Sequence, residues 1–137
     1  MNNFLIVPII SLLISQFIKM GIFAKQGKFS WNDFDSYGGM PSSHASFMAA
    51  ALVEAYQNYG LSSPIFAIIT FITFLVLRDA VGLRRTVGYH ANLINQLVKD
   101  LPDNLEGKYP HLEPRPCHTF PQIAVGFILG IIFAVII

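Results

Sequence analysis

"FLIVPIISLLISQFIKMGIF", Phe4 to Phe23, is apolar along almost its whole length and is broken only by Ser11, Ser15, Gln16 and Lys19. Its length is close to the roughly 20 residues that cross a hydrocarbon core as a helix. Reading it as a membrane span decides the fold class, and two further runs agree with it. Ile65 to Leu77 continues through Arg78 and Asp79 to Leu83, and Thr119 to Ile137 closes the sequence. Ala45 to Tyr59 is shorter and carries Glu54. Charged groups inside a membrane are expensive and usually paired, so this segment reads as a span packed inside a bundle, with an internal partner for Glu54. Four spans result. The first run lacks a basic start and a small-residue cleavage site, so it is expected to stay as a span and not to be removed as a signal peptide.

Composition points the same way. Of 137 residues, 53% are hydrophobic and 12% charged, with a mean hydropathy of +0.53. Soluble domains carry about 25% charged residues. A net charge of +1 lacks the basic excess of a nucleic-acid surface, so no nucleic acid is expected as a partner. The single cysteine, Cys117, excludes an internal disulfide framework and a cysteine-based zinc site. No repeat or low-complexity tract is visible. The expected fold is all-α: one membrane-embedded helical bundle over residues 1–137, of about four spans plus an amphipathic helix. A second copy could complete it as a homo-oligomer.

The amphipathic helix lies in the connection before the last span. Val87, Ala91, Ile94, Val98 and Leu101 recur at helical spacing, giving one apolar face for the bundle or the membrane interface. Asn92, Asn95 and Gln96 face away. The stretch "PDNLEGKYPHLEPRP", Pro102 to Pro116, is rich in proline and charge and reads as loop, either a spacer or a lid.

The charges set an orientation. Lys19, Lys25 and Lys28 follow the first span, Arg78, Arg84 and Arg85 end the third, and Lys99, Lys108 and Arg115 precede the fourth. All nine therefore fall at one side of the four-span arrangement. The positive-inside rule makes that side cytoplasmic, with both termini external, as expected for a plasma (inner) membrane protein.

"GGMPSSHAS", Gly38 to Ser46, enters the second span from this basic side. Pro41 suits a first helical turn, and Ser42 and Ser43 supply hydroxyls near exposed backbone N–H groups. His118 enters the fourth span from the same side, where Arg84 and Arg85 also lie. A helix N-terminus with nearby arginines is an anion site, with phosphate the leading anion. A histidine there can serve as acid, base or nucleophile.

"GGMPSSHAS", "RDAVGLRRTVGYHANLINQ" and "CHTFPQIAVGFILGI" resemble, in this order, the divergent branch of the type-2 phosphatidic acid phosphatase family. That family is related to the vanadium-dependent haloperoxidases, and the resemblance covers nearly the whole chain. The family's P-S-G-H motif is matched by Pro41, Ser42, Ser43 and His44, with serine in place of glycine. Its S-R-x5-H-x3-D motif is matched at His118 and the following "IAVG". The resemblance implies a lipid-phosphate phosphatase, hydrolysing a phosphoric monoester or diphosphate on a membrane lipid without metal or other cofactor. It makes His118 the nucleophile that forms a phosphohistidine and His44 the acid that protonates the leaving oxygen. Ser42, Ser43, Arg84, Arg85 and Lys19 would hold the phosphoryl oxygens.

This sequence departs from the pattern at three further points. Gln122 stands where the family has the aspartate that orients the nucleophilic histidine. Leu112 occupies the position of the third-motif arginine. The first motif, K-x6-R-P, leaves Lys19 and Lys25 as candidates without their Arg-Pro partner. Glutamine can accept a hydrogen bond from an imidazole but offers no charge to stabilise imidazolium. Two other classes therefore stay open: a non-catalytic binder of anionic lipid, and a metal-dependent membrane hydrolase using Asp79 with histidines. Asp79 beside Arg78 also suits a structural ion pair.

Overall fold

A computed structural model describes residues 3–27, 39–102, 108–112 and 118–137. They form five helices: α1 (Asn3–Lys25), α2 (Ser43–Tyr59), α3 (Pro64–Val81), α4 (Leu83–Lys99) and α5 (Phe120–Ile136). The described residues contain no strand. The expected spans correspond to α1, α2, α3 and α5. The third was expected to run on to Leu83, but the helix breaks at Gly82, whose N–H caps the carbonyl of Arg78. The amphipathic segment starts afresh there as α4.

α2 is the central helix, packed against α1, α3 and α5. Contacts along its length give the directions. Ser46 meets Ser11, while Ala50, one turn on, clusters with Val7 and Ala134, so α1 runs antiparallel to α2. Ala45 packs with Ala80 of α3, and the Tyr56 ring meets Phe66 at the other end, so α3 is also antiparallel. Gly126 of α5 lies against Ser42, and Gly130 against Ser46 and Ala49. α5 therefore runs parallel to α2. The N-termini of α2 and α5 and the C-termini of α1 and α3 share one end of the bundle.

The distribution of side chains inverts that of a soluble protein. The buried residues are mostly small: Ala45, Ala49, Ala50, Ala55, Ala80 and Ala134, together with Ser11, Ser15, Ser42 and Ser46, with Val7, Met48 and Ile123 the larger apolar members. Phe17, Ile68, Phe71, Phe74 and Ile128 point outward. An apolar shell of this kind marks a surface that something apolar covers. Helices in lipid gain nothing by hiding leucine from lipid tails, so they associate through small residues that let backbones approach. By length and composition, Phe4–Lys25 of α1 and a stretch within the run Pro64–Lys99, which begins with the apolar α3, are apolar enough to cross a membrane, and α5 is a shorter apolar helix.

Glu54 is buried, and its partner is local. Asn58, one turn further along α2, donates its side-chain N–H to the Glu54 carboxylate at 3.2 Å and to the Glu54 carbonyl at 2.8 Å. α4 touches α3 but leaves Val87, Ile94 and Leu97 exposed on its apolar face. On its polar side Asn95 grips the connecting segment. It donates to the Leu112 carbonyl at 2.7 Å and accepts the Leu112 N–H at 2.9 Å.

Candidate functional site

The site is built where α2 and α5 begin. Ser42 caps α2: its hydroxyl accepts the Ala45 N–H at 3.4 Å, and its carbonyl accepts the Ser46 N–H at 3.1 Å. Its own N–H donates across to the Gln122 carbonyl in the first turn of α5, at 3.2 Å. One backbone hydrogen bond thus ties two parallel helix starts together. Each contributes a partial positive charge from its first-turn N–H groups, and the two add at the same place.

Small residues make this approach feasible. A Cβ on Gly126 would fall 2.9 Å from the Ser42 nitrogen and nearer still to the Ser42 carbonyl oxygen. One turn later, a Cβ on Gly130 would fall 2.8 Å from that of Ala49. Gly126 and Gly130 form a G-x-x-x-G pair, the sequence signal for close helix contact in membranes. It went unused in the motif reading above. Ser42 and Ser46 repeat the same spacing on α2.

α5 starts with a capping box. The Thr119 N–H donates to the Gln122 side-chain oxygen at 3.0 Å. The glutamine expected to orient a histidine therefore has a documented structural duty, holding the turn that carries His118 into the helix. His118, immediately before that turn, is buried.

α1 brings the third wall. Lys19 is only 3% exposed, deep for an ammonium group. Gly39, with φ of +82°, lies directly over it: a Cβ there would come within 3.2 Å of Lys19 Cδ and 2.7 Å of Phe23 Cζ. The glycine places the loop entering α2 on top of the lysine stem. Ser15 and Gln16, one turn back along α1, are buried as well.

The expected residues therefore divide. Lys19, Ser42, Ser43 and His118 are buried at the shared end, and Gln122 is half-buried beside them. His44, on the same turn as Ser43, is exposed. Arg84 and Arg85 belong to the first turn of α4 at this end, but their side chains lie outside the described residues. Gly38, Lys28, Arg115 and Cys117 lie outside them too. A cavity of about 490 Å³ at the α3–α4 elbow is lined by Leu75, Arg78, Asp79, Gly82 and Thr86.

Comparison with known proteins shows the family. The pattern of the divergent PAP2 family matches residues 1–133. The chain belongs to the divergent PAP2 family. It is 30% identical to YuiD, an uncharacterized membrane protein of Bacillus subtilis (strain 168), over 150 aligned positions that cover 100% of this chain and 95% of that one. No solved structure matches. The chain is thus a membrane protein related to phosphatases, as the motifs around His44 and His118 implied.

Proposed function

We propose that the chain is a lipid-phosphate phosphatase whose site opens at the shared start of α2 and α5. The observation that carries this reading is the Ser42 N–H to Gln122 carbonyl bond. It places two helix starts side by side next to buried Lys19, Ser43 and His118, and such an arrangement attracts an anion. The lipid tail stays in the bilayer while the phosphate head enters from the basic, cytoplasmic side. His118 attacks phosphorus, a P–N bond forms, and the P–O bond to the lipid alcohol breaks as His44 gives that oxygen a proton. Water then attacks the phosphohistidine, releasing phosphate and restoring both imidazoles. Lys19, Ser42, Ser43, Arg84 and Arg85 and the helix starts offset charge on the phosphoryl oxygens. Gln122 keeps the turn bearing His118 in place.

A second reading, an anionic-lipid binder without turnover, is favoured by one feature. Gln122 supplies no carboxylate, and its oxygen is already bonded to Thr119. Phosphate release from phosphatidic acid, phosphatidylglycerophosphate and polyprenyl diphosphate, with and without chelator, separates the readings. The phosphatase reading expects chelator-resistant release that His118→Ala abolishes together with covalent phosphate labelling. Binding without release supports the second reading, and release lost to chelator points to metal-dependent hydrolysis.

A further inference from the structure

Ser15 is fully buried in the middle of α1, and its hydroxyl has no hydrogen-bond partner among the described residues. A helical serine or threonine ordinarily returns its hydroxyl to the carbonyl one turn back. Thr70 and Thr73 of α3 do so, at 2.8 and 2.7 Å. Ser11 instead reaches a neighbouring helix, its oxygen 2.6 Å from that of Ser46. Ser15 does neither, and a buried hydroxyl left unbonded is costly.

Its place in the bundle suggests what it serves. Val7, Ser11, Ser15 and Lys19 follow one another at four-residue intervals and are all buried, so they form one inward stripe. Ser11 is level with Ser46. Four residues along a helix advance about 6 Å. α1 and α2 are antiparallel, so Ser15 is level with Ser42, the cap bonded to Gln122. One turn further on, Lys19 lies under Gly39. The free hydroxyl is therefore level with the paired helix starts, one turn from the lysine.

We infer that Ser15 is a phosphoryl-binding residue, donating its hydroxyl hydrogen to a phosphate oxygen at the floor of the site. This rests on the phosphate reading above and extends the site from the motif residues of α2 and α5 onto α1. The ligand class is a phosphate monoester or diphosphate oxyanion, from a lipid head group or free phosphate.

The test is calorimetric titration of the full-length chain in detergent with inorganic phosphate and, separately, short-chain phosphatidic acid, alongside thermal unfolding. Wild type, Ser15→Ala, Ser15→Cys and Ser11→Ala are compared. Ser15→Ala and Ser15→Cys are expected to weaken both ligands about tenfold, the effect of one hydrogen bond to a charged group. Their Tm should hold or rise, because no internal bond is lost. Ser11→Ala should do the reverse, lowering Tm and leaving affinity in place. Unchanged affinity in both Ser15 variants overturns the inference while leaving the phosphate site intact. So does a loss confined to the lipid, which would put Ser15 against the glycerol, or a parallel fall in Tm, which would make the residue structural. A wild-type chain that binds neither ligand refutes the phosphate reading itself, and the inference with it.

Discussion

Replacing Gly126 with alanine tests the geometry on which the site depends. The added methyl would sit 2.9 Å from the Ser42 nitrogen, where ordinary contact begins at 3.4 Å, and closer still to the Ser42 carbonyl. Neither neighbour is a flexible side chain, and the carbonyl oxygen is the nearer of the two, so α2 and α5 must part by about an ångström. The Ser42–Gln122 bond, already 3.2 Å long, stretches beyond useful range. Overpacking of this kind costs about 1–3 kcal/mol, and losing the bond about 1 more. Alanine returns about 1 kcal/mol of helix propensity, leaving a net loss of roughly 1–3 kcal/mol. Gly21 of α1 supplies the control, since a methyl there meets nothing within 4 Å, and Gly21→Ala should be neutral or stabilising. Thermal unfolding of both variants in one detergent, with phosphate binding measured alongside, reads the difference. A Gly126→Ala chain as stable as Gly21→Ala, with full binding, would refute the close approach of the two helix starts.

Gln122→Leu removes the acceptor for Thr119 N–H and should cost about 1 kcal/mol of stability, whereas Gln122→Glu keeps the cap and places a carboxylate at a helix start, where it is favoured; unfolding of the pair checks this. Asn58→Ala leaves the buried Glu54 carboxylate without its bond from Asn58 and should destabilise by about 1–3 kcal/mol, an effect that adding Glu54→Gln relieves in a double-mutant unfolding series. Gly39→Ala imposes a side chain on a left-handed backbone and on the Phe23 ring and Lys19 stem; it should lower Tm and phosphate affinity together, as unfolding and titration would show. Asn95→Ala cuts both bonds to Leu112 and should raise proteolytic nicking of the connection after α4 while the bundle stays folded.

How much of this was legible in the sequence depends on what kind of signal each feature left. The spans announced themselves by length and apolarity, and the amphipathic face of α4 by its period. Ser11, Ser15 and Gln16 were visible only as interruptions in the first run, and Lys19 as a candidate phosphate ligand without its Arg-Pro partner. A helix that is apolar nearly all round has no strong face of its own, so its polar residues cannot say which neighbour they meet. That information lies in the partner: Ser46 opposite Ser11, Gly39 over Lys19. The Gly126–Gly130 and Ser42–Ser46 spacings were readable as sites of close approach, but nothing in one sequence pairs them. Gln122 had two readable meanings. Aligned with a family motif it stood for a missing aspartate; read locally, Thr119-x-x-Gln122 is a capping box. The local reading has its hydrogen bond, from the Thr119 N–H to the Gln122 side-chain oxygen.

The same contacts that hold the bundle together also shape its polar end. Because glycine, serine and alanine meet where α2 and α5 touch, Gly126 against Ser42 and Gly130 against Ser46 and Ala49, the two helices approach closely enough for Ser42 N–H to reach the Gln122 carbonyl, and that bond brings the two partial charges together. A core of leucine and phenylalanine would separate the helices and scatter those charges. The polar residues of α1 follow from the same packing, since a narrow interior leaves room for serine hydroxyls and a lysine stem but not for bulky side chains. Of the two motif histidines, His118 is enclosed by this packing and His44 stands outside it. That asymmetry suits their proposed duties. A nucleophile gains from a dry, fixed position beside the helix starts, whereas a proton donor must be recharged from water between turnovers. Substitutions at His44 should accordingly slow release more for basic leaving groups than for acidic ones, whereas substitutions at His118 should abolish it whatever the leaving group. A rate series over lipid phosphates with leaving groups of graded acidity would expose that difference, and a His44 variant slowed equally for every leaving group, or a His118 variant that still turns over, would mean that the roles are not divided in this way.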